Sequence, residues 1–82
     1  MVRLLFFGPL GDLMGRTTMA AGPVGETRLA DFLADLGARD ARFAAALAGA
    51  RLRYAVNEEI VGADATVRDG DEIAFLPPFS GG

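Results

Sequence analysis

The chain begins with an apolar segment whose pattern predicts a β-strand. Val2 to Phe7 (VRLLFF) is rich in β-branched and aromatic residues and is followed by Gly8-Pro9, which is typical of a buried strand that ends in a turn. Side chains alternate across a strand. One face therefore holds Val2, Leu4 and Phe6, and the other holds Arg3, Leu5 and Phe7. Both faces are largely apolar.

The segment that follows is less regular. Residues 8–15 contain three glycines, so we expect a loop there with at most one weak helical turn. Residues 16–21 are predicted to return as a second strand, because an antiparallel neighbour needs only a short connection.

A helical period appears next. Leu29, Phe32, Leu33 and Leu36 stand at i, i+3, i+4 and i+7, which predicts an amphipathic helix over 28–36 with Thr27 as its N-cap and Gly37 as its C-cap. Three charged residues should point toward water: Arg28, Asp31 and Asp35. Asp40 is expected to cap a second, Ala-rich helical turn or two that ends at Gly49 and carries Phe43 and Leu47 on one side.

The last third of the chain predicts strands and turns. Leu52 to Val61 reads as a strand, a two-residue turn at Asn57-Glu58 and a return strand, since asparagine tolerates positive φ. Asp69-Gly70 predicts another turn, followed by a final strand from Glu72 to Leu76.

This order of elements predicts an α+β fold. It consists of a mixed sheet of about four to five strands, with the first and last strands central and parallel, and one main helix on one face. The helix-free face then carries Arg3, Glu72, Leu5, Phe7, Ala74 and Leu76. An uncovered apolar patch is a candidate docking surface. The alternative is that Leu5 and Phe7 pack under a loop as ordinary core residues.

The composition excludes several kinds of chemistry. The chain has no His, Cys or Trp, and all eight basic residues are arginines. It therefore lacks imidazole acid–base groups, thiol nucleophiles, Schiff-base amines and the usual nitrogen and sulfur metal ligands, so we expect no metal site. The protein is expected to act together with a partner rather than to catalyse a reaction alone.

The net charge and the hydropathy of the chain indicate which kinds of partner and which cellular location to expect. A net charge of −3 argues against nucleic acid, which requires a basic face, and favours a partner with a basic docking surface. No apolar run approaches the roughly 20 residues that a membrane span needs, and no signal-peptide pattern precedes the first strand. We therefore expect a cytoplasmic protein that does not bind membranes.

The C-terminal residues predict a tail that leaves the domain. We divide the chain into a domain over 1–76 and an extended tail over 77–82. Pro77-Pro78 cannot donate backbone hydrogen bonds and should end the strand, whereas Gly81 and Gly82 can enter a narrow channel. From Leu76 an extended tail reaches about 20 Å. Its terminal carboxylate could attack the α-phosphate of a nucleotide if an enzyme positions both groups; the alternative is a frayed terminus.

Four stretches carry a resemblance to a known family: FLPPFSGG at 75–82, DGDEIA at 69–74, AVN at 55–57 and LFF at 5–7. Together they resemble the MoaD-type small subunit of molybdopterin synthase, a member of the MoaD/ThiS sulfur carriers, and the match spans essentially the whole chain. The resemblance implies a ubiquitin-like β-grasp fold without a bound cofactor.

The resemblance also implies a mechanism. A MoeB-type adenylating enzyme would use ATP and Mg²⁺ to activate Gly82, and a sulfurtransferase or cysteine desulfurase would supply the sulfur for a thiocarboxylate there. The MoaE-type large subunit would then receive the tail, with Gly81 allowing close passage, and transfer the sulfur to cyclic pyranopterin monophosphate. The chain itself would be the non-catalytic, sulfur-donating subunit of that synthase.

The resemblance maps partner-binding residues onto this sequence. These are Phe7, Ile60 and Leu76 on the helix-free face, and Pro77, Pro78, Phe79 and Ser80 in the tail. One departure from the family is Gly11, which stands where an arginine is frequent.

Three alternative functions remain open. The first is a sulfur carrier for thiamine, cysteine or tRNA thiolation. The second is a ubiquitin-like protein modifier, although a chain without lysine cannot form lysine-linked polymers of itself. The third is a binding module with an inert tail.

Overall fold

The computed structural model describes residues 1–8, 11–12, 18–22, 25–48 and 52–76. Seven strands and two complete helices lie in these ranges, and Gly11 and Asp12 are also helical. In chain order they are β1 (Val2–Phe6), β2 (Thr18–Ala21), β3 (Thr27–Arg28), α1 (Leu29–Arg39), α2 (Ala41–Ala48), β4 (Arg53–Val56), β5 (Glu59–Val61), β6 (Thr66–Val67) and β7 (Glu72–Leu76). No helix in these ranges is long and apolar enough to cross a membrane.

Five of the strands form one mixed sheet in the order β2-β1-β7-β4-β5. The central pair, β1 and β7, is parallel and places Leu5 opposite Ala74, whereas the other neighbours are antiparallel. The predicted α+β architecture is therefore confirmed, including the parallel first and last strands and the antiparallel second strand. Both of these central strands are five residues long and are paired on each side.

The hydrophobic core lies between the sheet and the two helices. The sheet contributes Val2, Leu4, Phe6, Ile73 and Phe75, α1 contributes Leu29, Phe32, Leu33 and Leu36, and the set is completed by Phe43 and Val67. Each of these side chains is at most 9% exposed. The strand alternation and the helical period in the sequence thus predicted the buried positions of β1 and α1 correctly.

The boundaries of α1 differ from the prediction. Thr27 is not its N-cap, because Thr27 pairs with Val67 in a separate two-strand ribbon of β3 and β6. The first helical N–H groups instead donate to a neighbouring loop: Leu29 N to Ala65 O at 2.8 Å and Ala30 N to Ala63 O at 2.9 Å. These carbonyls satisfy donors that a side-chain cap would otherwise satisfy.

The C-terminal boundary of α1 was also wrong. The helix passes through Gly37 and ends at Arg39, and Asp40 N donates to Leu36 O at 3.0 Å. At Gly37 α1 lies close to α2, because a Cβ built there would lie 3.6 Å from Ala44 Cβ. A Cβ at Gly37 would make only ordinary van der Waals contact with α2, so this glycine marks neither a helix end nor a position that a side chain could not occupy.

Asp40 connects the two helices and caps the second, as predicted. Its carboxylate Oδ1 accepts hydrogen bonds from Arg42 N at 2.9 Å and Phe43 N at 3.3 Å. These N–H groups belong to the first turn of α2, where they have no partner within the helix. The cap fixes the start of α2 and with it the position of the buried Phe43 ring.

Replacing Asp40 with alanine should lower the free energy of unfolding by about 1 kcal/mol, because two helical N–H groups lose their acceptor. Urea denaturation followed by far-UV circular dichroism measures the loss. Asp40→Asn is the matched control, since its amide oxygen still accepts and stability should stay close to wild type. An Asp40→Ala variant as stable as the wild type would show that the cap contributes nothing.

The two predicted turns are present. Asn57 and Glu58 have φ of 51° and 70°, the left-handed conformation that two-residue hairpin turns require. Gly70 has φ of 91° between β6 and β7. Predictions for the 9–10, 13–17, 49–51 and 77–82 stretches, and for the Leu47 side chain, lie outside the described residues.

Candidate docking surface

The helices α1 and α2 both pack on one side of the sheet, and neither covers the other side. We call this second side the open face. In the described chain it comprises Arg3, Leu5, Phe7, Arg53, Ala55, Ile60, Glu72, Ala74 and Leu76. Strand registers arrange these residues in rows that run across the strands, because paired residues point to the same side of a sheet.

The row nearest the start of β1 is polar. Arg3 and Glu72 lie opposite each other on the parallel pair, and the Arg3 Nη1 to Glu72 Oε2 distance is 3.2 Å. Beside them, Asn57 Nδ2 donates to Asp71 Oδ1 at 3.0 Å, and Glu72 N donates to Asn57 Oδ1 at 3.0 Å. These bonds attach the hairpin turn to the beginning of β7. At this end of the open face the charged groups are therefore paired with other groups of the same protein.

The middle row is apolar and reaches the sheet edge. It consists of Leu5, Ala74, Ala55 and Ile60 on β1, β7, β4 and β5. Ala55 is only 7% exposed although it is not part of the main core cluster, whereas Ile60 is 56% exposed. A large β-branched side chain thus projects from the face next to two small ones.

The third row lies where β7 ends. Leu76 is opposite Arg53 on β4, and Phe7 continues the ladder on the other side by donating its N–H to Phe75 O at 3.2 Å. Phe7 is 46% exposed. No loop in the described ranges buries this ring, so it does not behave as an ordinary core residue.

The structure brings together three of the predicted partner-binding residues. Phe7 and Leu76 are in one row, and Ile60 is in the adjacent row, all on the open face. Among the described large apolar side chains, only Phe7, Ile60 and Met1 are exposed. Pro77, Pro78, Phe79, Ser80, Gly81 and Gly82 lie outside the described residues. Gly11 donates its N–H to Gly8 O at 3.1 Å.

The described part of the open face consists mainly of apolar side chains with charged residues at its border. In the ranges given above, no three His, Cys, Asp or Glu side chains are grouped to hold a metal ion. Burial raises the pKa of the Tyr54 hydroxyl, but Tyr54 lies on the core side, where its ring is 5.8 Å from Phe75. An exposed apolar surface bordered by charge is suited to docking.

The comparison with protein families matches almost the whole chain: a family model described as the ThiS family covers residues 4–82. The chain belongs to the ThiS family. It is 38% identical over 84 residues to the molybdopterin synthase sulfur carrier subunit of Escherichia coli (strain K12), and 32% identical over 89 residues to the protein of that name from Haemophilus influenzae. Both matches cover 100% of each chain.

Solved structures confirm the β-grasp fold of this ThiS-family chain. SAMP1 from Haloferax volcanii has a TM-score of 0.79 at 23% identity, covering 99% of this chain and 98% of that one. A chain of the Amycolatopsis orientalis BexX/CysO complex has a TM-score of 0.75 at 23% identity, and the match covers 100% of both chains. A chain of the complex of subunits 1 and 2 of molybdopterin-converting factor from Helicobacter pylori has a TM-score of 0.64 at 23% identity. The match covers 99% of this chain and 97% of that one. The last two relatives were therefore solved with a partner protein.

Sequence reasoning missed two residues of the open face in this ThiS-family chain, Ala55 and the charged Arg53. The alternation of β4 contained the signal, because Tyr54 and Val56 pack on the core and Arg53 must then face the other way. The side of Ile60 could not be derived in the same manner. It depends on the pairing of Ala55 with Ile60.

Proposed function

We propose that this chain is the sulfur carrier subunit of a molybdopterin synthase. The observation that carries the proposal is the full-length identity of 38% to a relative of that name. The open face supports it, because a carrier needs a surface by which a second protein can hold it. That surface lies beside the end of β7, the strand that leads into residues 77–82.

In this proposal the chemistry takes place at the C-terminal Gly82. A MoeB-type enzyme binds ATP and Mg²⁺, and the terminal carboxylate attacks the α-phosphorus while pyrophosphate leaves. A sulfur donor, either a sulfurtransferase or a cysteine desulfurase, then attacks the acyl adenylate with its persulfide sulfur and displaces AMP. A thiol reductant cleaves the resulting acyl disulfide and leaves a thiocarboxylate on Gly82. The carrier binds no cofactor of its own in this scheme, since the activating enzyme holds the nucleotide.

The loaded carrier then docks on a MoaE-type larger subunit. Phe7, Ile60 and Leu76 supply apolar contact area, and the tail extends from Leu76 into the active site of that subunit. An extended chain of this length spans about 20 Å, enough to deliver sulfur to the pyranopterin precursor. Gly81 allows the passage of the tail because it has no Cβ.

Intact-mass measurement tests the proposal. After incubation with ATP, a MoeB-type enzyme and a sulfur donor, the protein should gain the mass difference between one sulfur and one oxygen. Deleting Gly82 should abolish the gain, because the positioned carboxylate is lost. Gly25→Ala is the control and should load as fully as the wild type, since a Cβ at Gly25 meets no atom within 4 Å.

A second step identifies the recipient of the sulfur. With the larger subunit and the pyranopterin precursor added, the loaded carrier should return to its original mass as dithiolene forms. Loading without this transfer would instead support a carrier for thiamine, cysteine or tRNA thiolation, and a ladder of conjugates in cell extract would support a protein modifier. No mass gain with a demonstrably active enzyme would contradict the proposal.

A further inference from the structure

Arg53 differs from the other arginines that the structure describes. Five of the six described arginines have a carboxylate oxygen within 4.0 Å: Arg3, Arg28, Arg39, Arg42 and Arg68. The Arg53 side chain is exposed and has neither an ion pair nor a hydrogen bond to any described residue. With respect to the described residues its guanidinium therefore keeps all its donors available, within a protein whose net charge is −3.

The position of Arg53 places that charge beside the candidate docking residues. Arg53 is opposite Leu76 on the neighbouring strand, and Phe7 lies on the strand beyond. Adjacent strands are about 4.8 Å apart, so Arg53 and Phe7 are separated by about 10 Å with Leu76 between them. At the other end of the open face the charge of Arg3 is neutralised by Glu72 at 3.2 Å.

We propose that Arg53 binds a carboxylate side chain of the larger synthase subunit and thereby fixes where β7 and its tail enter that subunit. This inference rests on the proposed function. A guanidinium next to Phe7 and Leu76 loses water when an apolar surface covers those residues, and an unpaired charge at such an interface is costly. A carboxylate is the protein group that satisfies a guanidinium with two parallel hydrogen bonds.

The open face then has two kinds of contact with different roles. Phe7, Ile60 and Leu76 supply contact area, which by itself tolerates sliding along the sheet. Arg53 adds one directional contact at the base of the tail, one strand spacing of about 4.8 Å from Leu76, where β7 stops. A bidentate pair at this point defines the register of docking, because a shift of one residue would break it.

Arg53→Met tests the contact, since it removes the charge and retains an unbranched stem. Arg39→Met is the matched control: Arg39 lies on α1, where it pairs with Asp35 at 3.2 Å, away from the open face. Binding of each variant to the purified larger subunit from the same cell is measured by calorimetry at low and high salt. Arg53→Met should bind about tenfold more weakly at low salt, as expected for the loss of a charge-assisted hydrogen bond.

The salt dependence separates this role from simple packing. The affinity of the wild type and of Arg39→Met should fall as salt rises, whereas that of Arg53→Met should fall less, because one charge pair is missing. Arg53→Lys should bind between the two, since it keeps the charge and loses the bidentate geometry. The unfolding free energies of these variants should stay close to wild type.

Two results would overturn the inference, and they are distinguishable. If the wild type binds the larger subunit and Arg53→Met binds equally well with an unchanged salt dependence, Arg53 has no carboxylate partner there and the proposed function stands. If the wild type does not bind the larger subunit at all, the proposed function fails and the role of Arg53 fails with it.

Discussion

Replacing Phe75 with alanine should lower the free energy of unfolding by about 3–5 kcal/mol. Phe75 is 1% exposed and lies at the centre of an aromatic cluster. Its ring centroid is 5.3 Å from Phe6 on β1, 5.5 Å from Phe43 on α2 and 5.8 Å from Tyr54 on β4. Truncation would leave a cavity between three elements. Because the chain is short, the rest of its core is too small to compensate for the lost contacts.

The loss is large compared with the total stability of the domain. A chain of 82 residues is expected to have an unfolding free energy of about 4–12 kcal/mol, so the variant should melt at much lower urea concentration or show no folded baseline. Far-UV circular dichroism during urea titration measures either result. A Phe75→Ala variant within about 1 kcal/mol of the wild type would contradict the central role of this ring.

Phe7→Ala is the matched control for Phe75→Ala. It makes the same chemical change, but Phe7 is 46% exposed and lies on the open face, so stability should fall by about 1 kcal/mol or less. Its effect should appear instead in binding to the larger subunit. The two variants together would then show that one side of the sheet provides stability and the other provides docking.

Replacing Ile60 with aspartate should weaken binding to the larger subunit by about a hundredfold or more. Ile60 is 56% exposed in the isolated chain, so the substitution costs little in folding. In the complex it would bury a carboxylate without a partner, at a cost of several kcal/mol. Calorimetry with the purified larger subunit measures the affinity, and urea denaturation verifies that the variant is folded.

Two variants control for charge and for shape. Ala41→Asp adds the same carboxylate at the exposed start of α2, on the helix side, and should leave the affinity within about twofold of wild type. Ile60→Val retains an apolar branched side chain and should also bind well. An Ile60→Asp variant that binds as tightly as the wild type would show that the open face does not dock.

These predictions share one physical basis, the alternation of side chains along the central strands. On β7, Ile73 and Phe75 face the helices, whereas Ala74 and Leu76 face outward. Odd and even positions of one strand therefore serve different purposes, and a mutation shifted by one residue should change the phenotype from unfolding to loss of docking. The Arg53 contact extends this separation to β4, where Tyr54 packs on the core.

The sequence by itself determined the elements with a strong local signal. The alternation in β1 and β7 predicted which side chains are buried, and the period of Leu29, Phe32, Leu33 and Leu36 predicted the buried side of α1. The turns at Asn57 and Gly70 were predictable because asparagine and glycine tolerate the positive φ that both positions adopt. The parallel central pair followed from the order of elements and from the apolar first and last strands.

Only the tertiary structure decided features that depend on contacts distant in sequence. Thr27 is in a strand because Val67 pairs with it, and α1 begins without a side-chain cap because loop carbonyls at 63 and 65 accept its N–H groups. A strand of two residues has no period to detect. The resemblance had already mapped Ile60 as a docking residue, but its register with Ala55 decides that it faces the open side. Arg53 lies beside Leu76 because β4 pairs with the end of β7. Local propensity encodes which element forms, whereas register and pairing are set by the packing of the whole chain.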